Sequence, residues 1–195
     1  MSFALKVLQY QFNLAPPFTL KNEIEWLVPY EDEETRRVMS LFYHRYYNDH
    51  KKRTFILGIN PGRFGAGITG VPFTDPVRLE KLGIENTFQK RQELSSVFMY
   101  EMIDLCGGPD LFYSKFYISS LSPLGFVKHG KNYNYYHDRE LSDMIRDYII
   151  YNIETQAAFG METDVVYCLG QGKNFTYLES LNNEYHWWGS VVPLP

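Results

Sequence analysis

Cysteine is scarce in this sequence, with two residues, Cys106 and Cys168, in a chain of 195. No CxxC spacing occurs, so a disulfide framework, a structural zinc site and a four-cysteine iron–sulfur cluster are excluded by count. Each cysteine lies in an apolar stretch, MIDLCGG or VVYCLG, where a reduced and buried thiol is expected. Long apolar runs are also missing, and none approaches the roughly 20 residues that a bilayer span requires. The N-terminus MSFALKVLQYQFNLAPPF lacks a charged segment followed by a clean apolar one, so no signal peptide is expected. A reducing cytoplasm is the expected compartment. Positive charge is not in excess: 19 Lys and Arg against 23 Asp and Glu give a net charge of −4. That balance lends no support to a bulk nucleic-acid binder, although it leaves room for a local basic patch. HExxH spacing, internal repeats and low-complexity tracts are absent as well.

Aromatic side chains are abundant, at 17% of the chain with 16 Tyr and 14 Phe. Together with a hydrophobic fraction of 45% they suffice for a sizeable core in one domain. Rings not needed there are available for stacking.

Acidic residues 31–34 suit a helix N-terminus, and Val38, Leu41, Phe42 and Tyr46 follow at helical spacing. Lys51-Lys52-Arg53 reads as an exposed connection. Residues 54–59 form a short apolar run that predicts a buried strand, followed by a loop rich in Gly and Pro. Thr87 is placed to cap a helix bearing Leu94, Val97, Phe98, Met102 and Leu105 on one face, stopped by Gly107-Gly108-Pro109. Residues 116–120 predict a second strand. Asp138 caps a further helix with Leu141, Ile145, Tyr148 and Ile149 as its stripe. Residues 164–169 predict a third strand, and 190–194 the start of a fourth. Strands alternating with helices imply an α/β fold, a three-layer α/β/α sandwich around a mainly parallel four-stranded sheet. Ligands of such sheets bind at the carboxyl ends of the strands, so the loops beginning at Asn60, Ser120 and Gly170, and the one beyond Leu194, are expected to share one mouth.

The most informative segment runs from Gly58 to Phe73, GINPGRFGAGITGVPF. It contains a GxGxxG string, Gly65-x-Gly67-x-x-Gly70, but the context is wrong for a dinucleotide fingerprint. Asn60-Pro61-Gly62 separates the string from the strand, and Pro72 and Pro76 forbid a regular helix soon afterwards. Gly172-Lys173 is no phosphate loop either, since Asn174 stands where Ser or Thr is required. The loop does offer a neutral amide, Asn60, at a strand end beside stiff Pro61 and permissive Gly62. Two rings, Phe64 and Phe73, sit among the glycines. This set suits the edge and face of a flat heterocycle; the alternative is an Asx-type turn with both rings in the core.

The segment resembles the first active-site motif of the single-strand-selective monofunctional uracil-DNA glycosylases, G-M-N-P-G-P-F-G-M-A-Q-T-G-V-P-F. Gly58, Asn60, Pro61, Gly62, Phe64, Gly65, Thr69, Gly70, Val71, Pro72 and Phe73 match in place without a gap. The resemblance implies that Asn60 positions the attacking water, that Gly62 leaves room beside the pyrimidine C5 and that Phe73 stacks on the flipped base. Ile59, Phe64 and Gly70 are carried with them as substrate-binding residues of the same loop. Aligning Pro123-Leu124 with the family's N-x-C-P-L motif puts Ser120 where the base-reading asparagine would be, a departure for which Asn132 or Asn134 is a candidate substitute. The family's second motif, H-P-S-P or H-P-R, follows a strand. None of His44, His50, His129, His137 and His186 stands after a strand and before proline. A single domain over residues 1–195, cut short at its C-terminus, is therefore expected, with the catalytic histidine beyond Pro195.

The implied activity is hydrolysis of the N-glycosidic bond of uracil, or of a related deaminated or oxidised base flipped out of DNA. It is monofunctional and needs neither cofactor nor metal; Lys173 is no convincing Schiff-base residue. The implied partner is DNA carrying damaged bases, bound by a monomer and away from membranes. Lys128, His129 and Lys131 are expected to touch the DNA, with Lys51, Lys52 and Arg53 as further candidates and Tyr133, Tyr135 and Tyr136 as stacking platforms. The alternative is a weak or inactive nucleic-acid or nucleobase-binding module of the same fold.

Overall fold

A computed structural model describes residues 1–195. In chain order the elements are α1 (Phe3–Phe12), β1 (Ile24–Leu27), α2 (Glu33–Tyr47), β2 (Thr54–Gly58), α3 (Ala66–Thr69), α4 (Pro76–Lys81), α5 (Leu94–Leu105), α6 (Pro109–Lys115), β3 (Phe116–Ser120), β4 (Gly125–Lys128), β5 (Lys131–Tyr133), α7 (Arg139–Ala157), β6 (Val165–Leu169), α8 (Lys173–Tyr185) and β7 (Ser190–Leu194). Short 3-10 turns cover Pro29–Glu31 and Tyr135–His137. The central sheet has the order β3-β2-β6-β7, and every pairing in it is parallel. Helices flank it, as the alternation of strands and helices predicts.

The helix starts follow from local chemistry. Asp32, Asp75 and Asp138 each accept a backbone N–H three residues on, from Thr35 at 2.8 Å, Arg78 at 2.8 Å and Leu141 at 3.3 Å. Each thereby satisfies a donor that the first helical turn leaves free. Helix α5 ends at Gly107 and Gly108, whose φ values of +97° and +87° favour residues without a Cβ.

Several features depart from the sequence expectation. Thr87 caps nothing; its N–H is taken by the Glu34 carboxylate, and α5 begins only at Leu94. The buried face of α5 is Ser96, Met99, Tyr100 and Ile103, whereas Leu94 and Leu105 are 89% and 90% exposed. This helix is apolar almost all round, so periodicity could not choose the face. Cys106, next to it, is exposed rather than buried. Cys168 is buried as expected, and burial pushes its thiol up to about 11.

Arg53 is the largest correction. It is fully buried. Its guanidinium is held by both Asp49 carboxylate oxygens at 2.9 Å and by the Tyr113 carbonyl at 2.8 Å. It also lies 4.6 Å from the Phe3 ring and 4.8 Å from the Tyr47 ring. With Phe42, Tyr43, Tyr46, Tyr113 and Tyr117 these rings form an aromatic core between α1, α2, α6 and the sheet. Part of the unusual aromatic content is used here. A second, antiparallel sheet, β1-β4-β5, has no counterpart in the sequence reading. Its β4–β5 hairpin reaches the mouth of the central sheet.

Candidate active site

A cavity of about 280 Å³ opens at the carboxyl ends of β2, β3 and β6, bordered by Gly58 to Gly62, Ser120 and Leu169. Its size is close to the lower end of small-molecule pockets, about 300–1,000 Å³, and suits one flat heterocycle. A larger cavity of about 750 Å³ lies between α1, Ala15 to Pro17 and α7, and contains none of the motif residues.

Asn60 lies two residues past the end of β2. Its side-chain N–H₂ donates to the Tyr133 carbonyl at 3.2 Å and to the Pro61 carbonyl at 3.3 Å. Both carbonyls can only accept, so the amide orientation is determined: nitrogen toward the hairpin, Oδ1 away from it. That Oδ1 is buried and has no hydrogen-bond partner in the protein. Phe73 adopts φ +53°, an uncommon left-handed conformation for a large side chain. The conformation carries its ring over Gly58, where a Cβ would come within 2.9 Å of Phe73 Cζ. Glycine at the end of β2 is what lets the ring come this close to the strand. The Ser120 hydroxyl is 3.5 Å from the same Cβ position and lines the cavity from β3.

The hairpin supplies two amides. Asn132 accepts the Arg63 backbone N–H at 2.9 Å, and its Nδ2 faces Gly62, 3.3 Å from where a Cβ would stand. Asn134 also lines the cavity, but its amide is engaged by Tyr136 Oη at 2.9 Å and in capping the following turn.

Of the residues singled out in the sequence, Asn60, Ile59, Gly62, Phe73 and Ser120 come together around this cavity, with Asn132 and Asn134. Phe64 and Gly70 do not. Phe64 is at the rim, its ring between Arg91, 3.5 Å from the ring centroid, and Arg63, at 4.7 Å. Gly70 ends α3 at φ +68°, with its Cα turned toward Met39 of α2, so its need for glycine is one of backbone shape and packing. Lys128 and Lys131 face each other in the hairpin register. Lys51 and Lys52 precede β2, at the end of the strand opposite the mouth, and Arg53 is buried there; distance and burial remove all three from a DNA face built on the mouth. Tyr135 is fully buried with its hydroxyl on Asn174, so it is no stacking platform. No histidine lines the cavity, and no three His, Cys, Asp or Glu side chains cluster as metal ligands.

Sequence reasoning missed Glu93, the one ionisable side chain of the cavity lining. It precedes α5, and its carboxylate covers the faces of Gly62 and Gly65. Burial and the neighbouring Asp75 carboxylate raise its pKa, against the opposing effects of the Phe64 and Gly65 amides and of Arg91.

The family model of the uracil DNA glycosylase superfamily matches residues 44–195. The chain belongs to the uracil DNA glycosylase superfamily. Its fold is similar to the crystal structure of wild-type Pedobacter heparinus SMUG2, with a TM-score of 0.95 and 44% sequence identity. That match covers 100% of this chain and 86% of the other. The resemblance drawn from Gly58 to Phe73 is thus a family relation that extends over the whole chain. In this glycosylase no helix is long and apolar enough to cross a membrane.

Proposed function

We propose that this glycosylase hydrolyses the bond between C1′ and the base nitrogen of uracil, or of a related deaminated or oxidised base, flipped out of DNA. The observation that supports the assignment of roles most strongly is the Asn60 Oδ1, buried, oriented and without a protein partner at the sheet mouth. Buried polar atoms are normally paired, and a water donating to Oδ1 suits this one.

As the C1′–N bond breaks, its electron pair leaves with the base and the sugar becomes an oxocarbenium-like cation. Water held by Asn60 adds its oxygen to C1′ and gives up a proton to solvent or to the departing base. Free base and an abasic site result. A sugar cation needs only a weak nucleophile, which is why an amide with almost no basicity can serve. Phe73 stacks on the base face. The Ser120 hydroxyl and the Asn132 amide donate to the base edge, where negative charge grows. Asn134 is the weaker candidate because its amide is already engaged. No lysine lines the cavity, in keeping with a monofunctional reaction.

DNA is held at the rim by Arg63 and Arg91, which flank Phe64 and take part in no ion pair, and by Lys128 and Lys131 of the hairpin. A monomer acting in the cytoplasm is part of this proposal. The test is incubation with single-stranded and duplex DNA containing uracil, hydroxymethyluracil or xanthine. Free base and alkali-sensitive sites are the expected products, and failure to release any of the three bases would sink the reading.

A further inference from the structure

Asn60 can place a water only if the turn that carries it is held still, and residues 60–65 contain two glycines and no regular structure. The start of α3 takes the Gly62 and Gly65 carbonyls, and side chains hold this turn from two sides. On the hairpin side, Asn60 donates to the Tyr133 carbonyl and Arg63 donates its N–H to Asn132 Oδ1. On the other side the Thr69 hydroxyl donates to the Gly65 carbonyl at 3.3 Å, and the one charged side chain against the turn is Glu93. A Cβ added at Gly65 would land on its Oε2, and one at Gly62 would lie 3.7 Å from Oε1. Its carboxylate therefore lies along the turn from Gly62 to Gly65, where the Phe64 and Gly65 amides favour its charged form. Glu93 is itself fixed, because its backbone N–H donates to Asp75 Oδ2 at 2.9 Å while Asp75 Oδ1 caps α4.

We infer that Glu93 is a positioning residue for Asn60: its ionised carboxylate clamps the Gly62–Gly65 turn to the start of α5 and so holds the Asn60 Oδ1 where the nucleophilic water binds. The inference rests on the glycosylase reading for its catalytic consequence, but not for its geometric one. The charged groups around Glu93 are Asp75 from the start of α4, Arg91 from its own segment, and Arg63 across Phe64. The first disfavours the carboxylate and Arg91 favours it. Protonation withdraws the charge that the Phe64 and Gly65 amides favour, so the clamp loosens as pH falls.

Two readouts test this. The first needs no activity: the side-chain amide NMR signals of Asn60 are followed against pH in the full chain. They are expected to shift with the titration of Glu93 in the wild type and to lose that titration in Glu93→Gln. Asn60 signals that titrate identically in both proteins would overturn the inference. The second is single-turnover release of uracil. Glu93→Ala is expected to lose on the order of 10²-fold in rate, the scale of a small misplacement at a reacting centre. Glu93→Gln should recover part of that loss and flatten the acid limb of the pH profile. A wild-type acid limb and rate in Glu93→Gln would also overturn it. If the wild type releases no base while the Asn60 signals still follow Glu93, the glycosylase reading fails and the clamp stands. If base is released with Glu93 silent in both readouts, only the clamp fails.

Discussion

The Asn60 side-chain nitrogen lies 3.2 Å from the Tyr133 carbonyl, and this contact between the end of β2 and the β4–β5 hairpin decides which atom of the amide faces the cavity. A freely rotating amide would present nitrogen or oxygen. With nitrogen committed to a backbone acceptor, Oδ1 is left to receive a hydrogen bond from water. The backbone of the small antiparallel sheet thereby orients the Asn60 amide.

Gly58→Ala should disable stacking while leaving the fold intact. The new Cβ would come within 2.9 Å of Phe73 Cζ and 3.0 Å of Cε2, displacing a ring that is only half buried. Stacking of one base on an aromatic ring is worth about 1–3 kcal/mol, and most of it should be lost. Weaker binding of uracil-containing single strands, at an unchanged melting temperature, is the expected result in a fluorescence titration paired with a thermal melt.

Removing the rim arginines should change salt dependence more than selectivity. With Arg63→Ala and Arg91→Ala combined, the slope of log affinity against log salt should fall by about 2, one unit for each phosphate contact. Lys51→Ala with Lys52→Ala, at the far end of β2, should leave the slope where it was. Binding titrations across a salt series distinguish the two pairs.

Arg53→Ala should cost about 3–5 kcal/mol, the usual penalty for breaking a buried ion pair. It leaves the Tyr113 carbonyl without its donor and the Asp49 carboxylate with the Lys51 N–H alone. Burial raises the Asp49 pKa, but the Arg53 hydrogen bonds and charge outweigh that effect and lower it. A lowered carboxylate pKa stabilises the fold above the unfolded-state value, and this contribution is lost as pH falls through the folded-state value. Denaturant melts of wild type and Arg53→Ala should therefore converge toward strongly acidic pH.

Glu93 carries the opposite sign. Its folded-state pKa is raised, so the native state binds more protons than the unfolded one between the two values, and stability falls as pH rises through that window. Glu93→Gln should consequently melt at the same or a higher temperature than the wild type at neutral pH, while releasing base more slowly. Differential scanning calorimetry at acidic and neutral pH tests the sign.

How much of this could be read from residues alone differs between elements. Gly58 to Phe73 is local: strand, turn, amide and rings lie within one segment, so its resemblance to a family motif singles out Asn60, Gly62 and Phe73 as candidates, and the structure places all three around one cavity. The parallel sheet was readable because its strands are short apolar runs bounded by turn residues, and Asp32 and Asp138 mark helix starts by simple hydrogen-bond chemistry. Glu93 was not readable. It reaches the cavity only because α5 begins beside the turn, and nothing near Arg91-Gln92-Glu93 hints at that neighbour. Arg53 misled because two exposed lysines precede it, while its partners come from the end of α2 and from α1 and α6. The β1-β4-β5 sheet escaped because its strands have three or four residues, too few for a pattern to show.

The most direct test of the central claim is single-turnover release of uracil from end-labelled single-stranded DNA by the wild type and by Asn60→Ala. Removing the oriented oxygen should slow release on the order of 10²-fold or more in a protein that stays folded and melts slightly lower, because the hydrogen bonds to the Tyr133 and Pro61 carbonyls go with the side chain. Equal rates in two folded proteins would contradict the account.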